Sequence, residues 1–247
     1  MKIVATVEAR MGSSRLPGKT MMRILGKPML ELLLERLKRS KLIDEIVIAT
    51  TTEPKDDVIA ELAEKVNVKC FRGSEEDVLG RVLNAAKSVN ADIIVEITAD
   101  CPLIGPDVVD MVIKEYLNSD YDYVCNAHDP NRIPIFHSNF PSGSETQVFS
   151  VKVLEEVAGL TDDPYDREHV SVYIYTHPEK FKVFCIKAPD EYNYPELWLS
   201  VDQKEEFDLI KKIFESLYSK NPEFSFLDVI EFLKNDPVLK LMLEGGD

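Results

Sequence analysis

Short apolar runs alternate with helix-period runs through the first half of the chain, and this alternation restricts the fold more than any other feature. Ile3-Val4-Ala5-Thr6-Val7, 46-IVIAT-50 and 93-IIVEIT-98 are short and β-branched, the pattern of strands covered on both faces. Between the first two lies 28-PMLELLLERLKRS-40, whose Leu30, Leu33, Leu34 and Leu37 fall at i, i+3, i+4 and i+7 behind a helix-opening Pro28. Asp57 to Val66 repeats that period with Val58, Ile59 and Leu62. Asp77 to Val89 repeats it again with Val78, Leu79, Val82, Leu83 and Ala86. A β-α-β-α-β-α-β order predicts a three-layer α/β fold, a mainly parallel sheet flanked by helices.

The 247 residues suffice for one large domain, and no linker, repeat or low-complexity tract divides them. The expectation is a single domain over 1–247. Residues 121–150 would form a loop-rich excursion between two strands, and amphipathic helices would follow Gln203. A formal charge of −15 excludes a surface that tracks a nucleic-acid backbone or an anionic membrane. Four cysteines without a C-x-x-C pair suit buried thiols in a reducing compartment. With no signal-peptide pattern and no long apolar run, the expectation is a cytoplasmic protein. The aromatic and proline content of 121–150 (Tyr121, Tyr123, Phe136, Phe140) suggests an interface, hence a homodimer.

Basic residues are concentrated in one place. Arg10, Arg15, Lys19, Arg23 and Lys27 lie in and after 11-MGSSRLPGKT-20, directly behind the first strand. The stretch is close to the nucleotide P-loop G-x-x-x-x-G-K-[ST], but five residues separate Gly12 from Gly18, and 26-GKP-28 interrupts the helix a P-loop needs. The dinucleotide fingerprint is absent. A longer basic loop at a strand's carboxyl end is the better reading. Backbone N–H groups at Gly12, Ser13 and Ser14 form an anion nest, while Arg15 and Lys19 reach over a triphosphate. Asp100 ends an apolar strand at the same edge of the sheet, where a carboxylate can hold Mg²⁺. The four histidines lack metal-ligand spacing; His128 and His137 fall in the excursion and could meet an acceptor.

The run 8-EARMGSSRLPGKTMMRILGKPML-30 resembles the opening signature of the CMP-sugar synthetases, the cytidylyltransferases that activate Kdo and acylneuraminate. It is most similar to their spore-coat polysaccharide (SpsF-type) relatives. The likeness continues, in the family's order, through 72-RGSEEDVLGR-81, 99-ADCPLIGP-106, 167-REHV-170 and 201-VDQKEEF-207. Glu8 stands where these relatives often carry Gln, and Glu206 is the second acid of the late motif where Asp is usual.

The resemblance implies a nucleotide-diphospho-sugar transferase (glycosyltransferase-A-like) fold. It also implies attack of a sugar or sugar-acid hydroxyl on the α-phosphate of CTP with Mg²⁺-assisted loss of pyrophosphate. By the same likeness Arg15, Lys19 and Asp100 are catalytic, and Asp100 and Asp202 hold the metal. Nucleotide would be bound by Ala9, Arg10, Met11, Gly12, Ser13, Ser14, Arg15 and Lys19, together with Arg72, Gly73, Ser74, Asp77 and Arg81. Glu145, Arg167 and His169 would face the acceptor. Asp202 and Asp77 can equally serve as helix N-caps, and Arg81 is placed to pair with Asp77 one turn away. If one Mg²⁺ joins Asp100 to Asp202, their carboxylates come within ~7 Å. A P-loop kinase or ATPase and a non-catalytic nucleotide or sugar binder are the alternatives.

Overall fold

The computed structural model describes residues 1–126 and 139–235. Strands β1 (Ile3–Glu8), β4 (Glu45–Thr51), β5 (Lys69–Gly73) and β6 (Ile93–Thr98) run parallel. They join β7 (Tyr123–Cys125), β8 (Gln147–Ser150) and β9 (Val183–Cys185) in a seven-stranded sheet of order β5-β4-β1-β6-β8-β7-β9. Only β8 runs against its neighbours. A small hairpin, β2 (Arg23–Ile24) with β3 (Lys27–Pro28), follows the basic loop.

Each crossover between parallel strands carries a helix: α1 (Met29–Leu37), α2 (Asp57–Lys65) and α3 (Val78–Ser88). The sheet grows from β1 to β4 to β5, then the chain crosses back to lay β6 on the other side of β1. Right-handed crossovers in opposite directions put α1 and α2 on one face and α3 on the other. The packing follows. Leu30, Leu33, Leu34, Ile59 and Leu62 pack on Ala5 and Val7, whereas Val78, Leu79 and Val82 pack on Val4. The first face also takes α4 (Pro106–Leu117), α8 (Lys204–Leu217) and α9 (Phe226–Asn235); the second takes α5 (Val151–Leu160) and α7 (Val172–Thr176). A fully buried leucine contributes about 1.5–3 kcal/mol, so the two faces together hold the sheet.

Reversal of strand order beside β1 leaves a crevice at the carboxyl ends of β1 and β6, where such sheets bind ligands. The chain returns to that crevice late. Ser142 N donates to Leu197 O at 2.9 Å and Leu199 N to Ser142 O at 3.1 Å, anchoring 197–199 beside the end of the excursion. The contact requires Gly143: its φ is +87°, and a Cβ there would lie 2.5 Å from the Leu199 carbonyl carbon. Val201 N donates to Asp100 O at 2.8 Å, which brings Asp202 to the end of β6.

The apolar run 197–201 meets Ser142 through a single bridge at Trp198. The excursion does begin in β7 and end in β8, but residues 127–138, with His128, Phe136 and His137, lie outside the described residues. The other aromatics thought to face a partner are engaged within the chain: Tyr123 and Phe140 are buried, and Tyr121 stacks on Phe184 at 4.9 Å.

Candidate functional site

The basic loop closes on itself before it reaches the crevice. Met11 O accepts from Ser13 N at 3.0 Å and from Gly18 N at 3.1 Å, and Ser13 Oγ accepts from Leu16 N at 3.3 Å. Gly18 sits at φ +74°, a left-handed turn that glycine takes without strain. The loop's start is fixed from below, because fully buried Asp56 accepts from Met11 N at 2.7 Å and also from Thr51 Oγ1. Thr20 Oγ1 donates to Arg10 O at 3.1 Å. A short 3₁₀ turn, Lys19–Met21, then aims Lys19 inward.

Lys19 is the hub of the crevice. Its Nζ lies 3.0 Å from Asp100 Oδ2, 3.0 Å from Asp202 Oδ1 and 2.6 Å from Val201 O. Burial opposes its charge, but the two aspartates more than offset that, and its pKa is raised. Two carboxylate oxygens at 3.0 Å from one ammonium can be no farther apart than twice that distance. Arg15 Nη2 adds a second cation 2.9 Å from Asp202 Oδ2. Asp202 does not cap α8; that role belongs to Gln203, whose capping box is closed by Glu206. Glu206 Oε2 accepts from Gln203 N at 2.7 Å, so the late motif's second acid is engaged in holding the helix.

A cleft of about 450 Å³ opens above this cluster. Ala9, Arg10, Gly12, Ser13, Ser14 and Arg15 line one side, with Lys19, Asp100 and Asp202 at the base. Glu8, Val78, Arg81 and Thr98 line the part toward α3, and Glu168 and His169 close the far side. The last two end α6 (Pro164–Glu168), where Glu168 lies 3.5 Å from Arg10 Nη2 and the His169 ring meets Tyr165 edge-on at 4.4 Å.

Several expected binding residues stand behind this wall. Arg72 is tied through Nε to Thr51 O at 2.8 Å and pairs with Asp57 at 2.6 Å. Gly73 faces Phe71 and Arg81. Ser74 Oγ accepts from Asp77 N at 3.0 Å, and Asp77 caps α3 by accepting from Gly80 N at 2.9 Å. The expected Asp77–Arg81 pair is replaced. Asp77 binds Arg167 at 2.7 Å, while Arg81 Nη1 turns back to the carbonyls of Ser74 and Glu75. Asp77 is held at the helix N-terminus by its capping bonds, which leaves its outer oxygen to the chain arriving with α6. Glu145 Oε2 accepts from Gly143 N at 2.6 Å and lies 3.7 Å from Cys101 Sγ; burial raises its pKa against the bonds from Gly143 and its own backbone.

Three acids escaped the sequence reading: Asp56 beneath the loop, and Glu8 and Glu96 on the central strands. Glu96 had a usable signal, since a Glu inside a strand read as covered on both faces needs a partner.

A family model described as cytidylyltransferase matches residues 4–227. The spore coat polysaccharide biosynthesis protein SpsF of Bacillus subtilis is 30% identical over 95% of this chain and 95% of its own. Among solved structures, a cytidylyltransferase from Leptospira borgpetersenii superposes with a TM-score of 0.86 at 36% identity, covering 97% of this chain and 96% of that one. A CMP:2-keto-3-deoxy-manno-octonic acid synthetase complexed with CTP superposes at a TM-score of 0.65 and 20% identity, over 87% of this chain and 99% of that one. That second likeness is one of fold, and it is the fold expected from the sequence.

Proposed function

The chain belongs to the cytidylyltransferase family, and from that premise we propose that it transfers CMP from CTP to a hydroxyl of a sugar or sugar acid in a Mg²⁺-dependent reaction. The observation that carries the reading is the Asp100–Lys19–Asp202 cluster at the base of a cleft whose rim is the basic loop. The relative SpsF, a spore coat polysaccharide biosynthesis protein, supports surface polysaccharide synthesis as the setting.

The cluster fits a divalent cation because a cation is what it already accommodates. Asp100 and Asp202 both face the Lys19 ammonium, and both side chains keep some exposure, 28% and 20%. They are the residues that would hold Mg²⁺. A bound Mg²⁺ there would neutralise charge on the α-phosphate and polarise it toward attack. The chain's own groups do the rest. The N–H groups of Gly12 and Ser14, Ser13 N being held by Met11 O, and the guanidinium of Arg15 hold the β- and γ-phosphates. Lys19, once released from the aspartates, turns to the departing pyrophosphate. The acceptor oxygen bonds to the α-phosphorus, the bond to the β-bridging oxygen breaks, and the hydroxyl proton is lost to water. Preorganised charge of this kind is commonly worth a few kcal/mol per group. The acceptor enters on the side of the cleft closed by His169.

The proposal includes a homodimer through the 121–150 segment, which rests on the aromatic and proline content of its part outside the described residues. A stable monomer by light scattering at micromolar concentration overturns that part. The reaction itself is tested by pyrophosphate release from CTP over a panel of sugars and sugar acids, against phosphate release from ATP. Pyrophosphate with CTP and one acceptor class is the expected result. Phosphate from ATP alone would return the protein to the kinase or ATPase reading, and release of neither would leave a binding protein.

A further inference from the structure

Two acids face α3 from neighbouring central strands. Glu8 ends β1 opposite Thr98, and Glu96 lies in β6 opposite Thr6, so on one face of the sheet they are diagonal neighbours. Glu96 is 4% exposed, and Glu8 forms part of the cleft wall. Their carboxyl groups lie close enough for each to act on the other's protonation. Glu8 Oε1 and Glu96 Oε2 are buried, and no other described group donates to either. Carboxylate oxygens only accept, so two of them can bond only through a proton that one acid carries. Ser171 of the turn before α7 lies beside Glu96, but its Oγ donates to Gln147 Oε1 at 2.7 Å.

The charges around the pair do not remove that proton. Arg81 approaches from α3, Arg10 from the end of β1 and Asp100 from the turn after β6, with Glu168 and His169 across the cleft. Arg81 directs Nη1 to the carbonyls of Ser74 and Glu75 instead of to the acids. Burial pushes Glu8 up to about 7 against the pull of Arg81, and pushes Glu96 well above its ordinary range.

Resting on the CTP reading above, we propose that Glu8 is a nucleotide-binding residue that works as a neutral acid, donating from the oxygen not paired with Glu96 to an acceptor atom of the pyrimidine base. The phosphate-holding groups gather around Asp100 and Asp202. The part of the cleft lined by Glu8, Val78, Arg81 and Thr98 is what remains for the nucleoside. Cytosine offers lone pairs at O2 and N3, and a protonated carboxyl supplies the donor they need. An ionised Glu8 would set a negative oxygen against those lone pairs. Glu96 keeps its proton and donates it to Glu8 Oε1, which fixes the direction in which Glu8 can donate.

Titration calorimetry of CTP with Mg²⁺ from pH 6 to 9 tests this without a known acceptor. Wild-type affinity should fall by about tenfold per pH unit above 7 once Glu8 ionises. Glu8→Gln has an amide donor that does not titrate, so it should retain tight binding at pH 8.5, where the wild type has lost it. Glu96→Gln donates permanently to Glu8 Oε1 and favours the ionised form, so it should move the midpoint to lower pH. A merely structural role for Glu8 would weaken Glu8→Gln equally at every pH and overturn the proposal. Parallel profiles for wild type and Glu8→Gln would also overturn it, since the slope would then belong to CTP or the metal. Absence of CTP binding in the wild type at every pH is a separate outcome: the CTP reading fails, and this proposal falls with it.

Discussion

Asp100 and Asp202 are joined by an ammonium, whereas Glu8 in the wall of the same cleft and the buried Glu96 beside it have no described cation between them, and by our inference share a proton. The difference comes from what the fold delivers to each pair. The basic loop brings Lys19 within 3.0 Å of both aspartates, and Arg15 follows at 2.9 Å from Asp202. The glutamates lie deeper, where Arg81 bonds to main-chain carbonyls instead. Like charges in a low-dielectric site ionise together only if a cation is supplied; otherwise one keeps its proton. The first pair is therefore suited to hold a metal ion, and the second to offer a hydrogen.

The largest effect should come from breaking the ionised pair. Asp100→Asn is expected to lower turnover by about a thousandfold or more while CTP binding stays measurable, because the loop still grips the phosphates. Steady-state pyrophosphate release and calorimetry on the same preparation check both halves. Lys19→Ala should follow, with CTP use reduced ~10²-fold. It also removes the cation between the aspartates, so Mg²⁺ should relieve a loss of thermal stability more in this variant than in the wild type.

The proton-sharing pair should register in stability. Glu8 is raised above its unfolded value, so the folded state binds the extra proton. Its contribution is fully present below about pH 4.5 and is lost as pH rises to about 7. Urea unfolding across that window should show stability falling by on the order of 1 kcal/mol per pH unit, with a shallower slope in Glu8→Gln. A flat wild-type profile would remove the pair's unusual protonation. The smallest effect is expected at Glu206. Glu206→Gln preserves the capping box, so metal dependence and turnover should stay within about twofold, whereas Glu206→Ala should cost α8 about 1 kcal/mol.

Much of this was legible in the sequence, for reasons of period and position. Strand-helix alternation fixed the layers, and the basic loop after β1 marked the ligand edge, because both signals are local. Pairings across the sheet were not legible. Whether Lys19 meets Asp100 and Asp202 depends on how the 197–199 segment is anchored at Ser142. Whether Glu8 meets Glu96 depends on the β1–β6 register, which no local pattern reveals. Asp77 illustrates the limit: the one-turn spacing to Arg81 predicted a pair, but tertiary contact delivered Arg167.

The central claim is that Asp100 and Asp202 serve one cation, and a double-variant cycle tests it most directly. Pyrophosphate release from CTP should be measured against Mg²⁺ for the wild type, Asp100→Asn, Asp202→Asn and the double variant. Residues that act through one ion are non-additive, so the account predicts that the second substitution adds little to the first and that chelation abolishes the wild-type rate. Fully additive losses, or turnover that survives chelation, would contradict it.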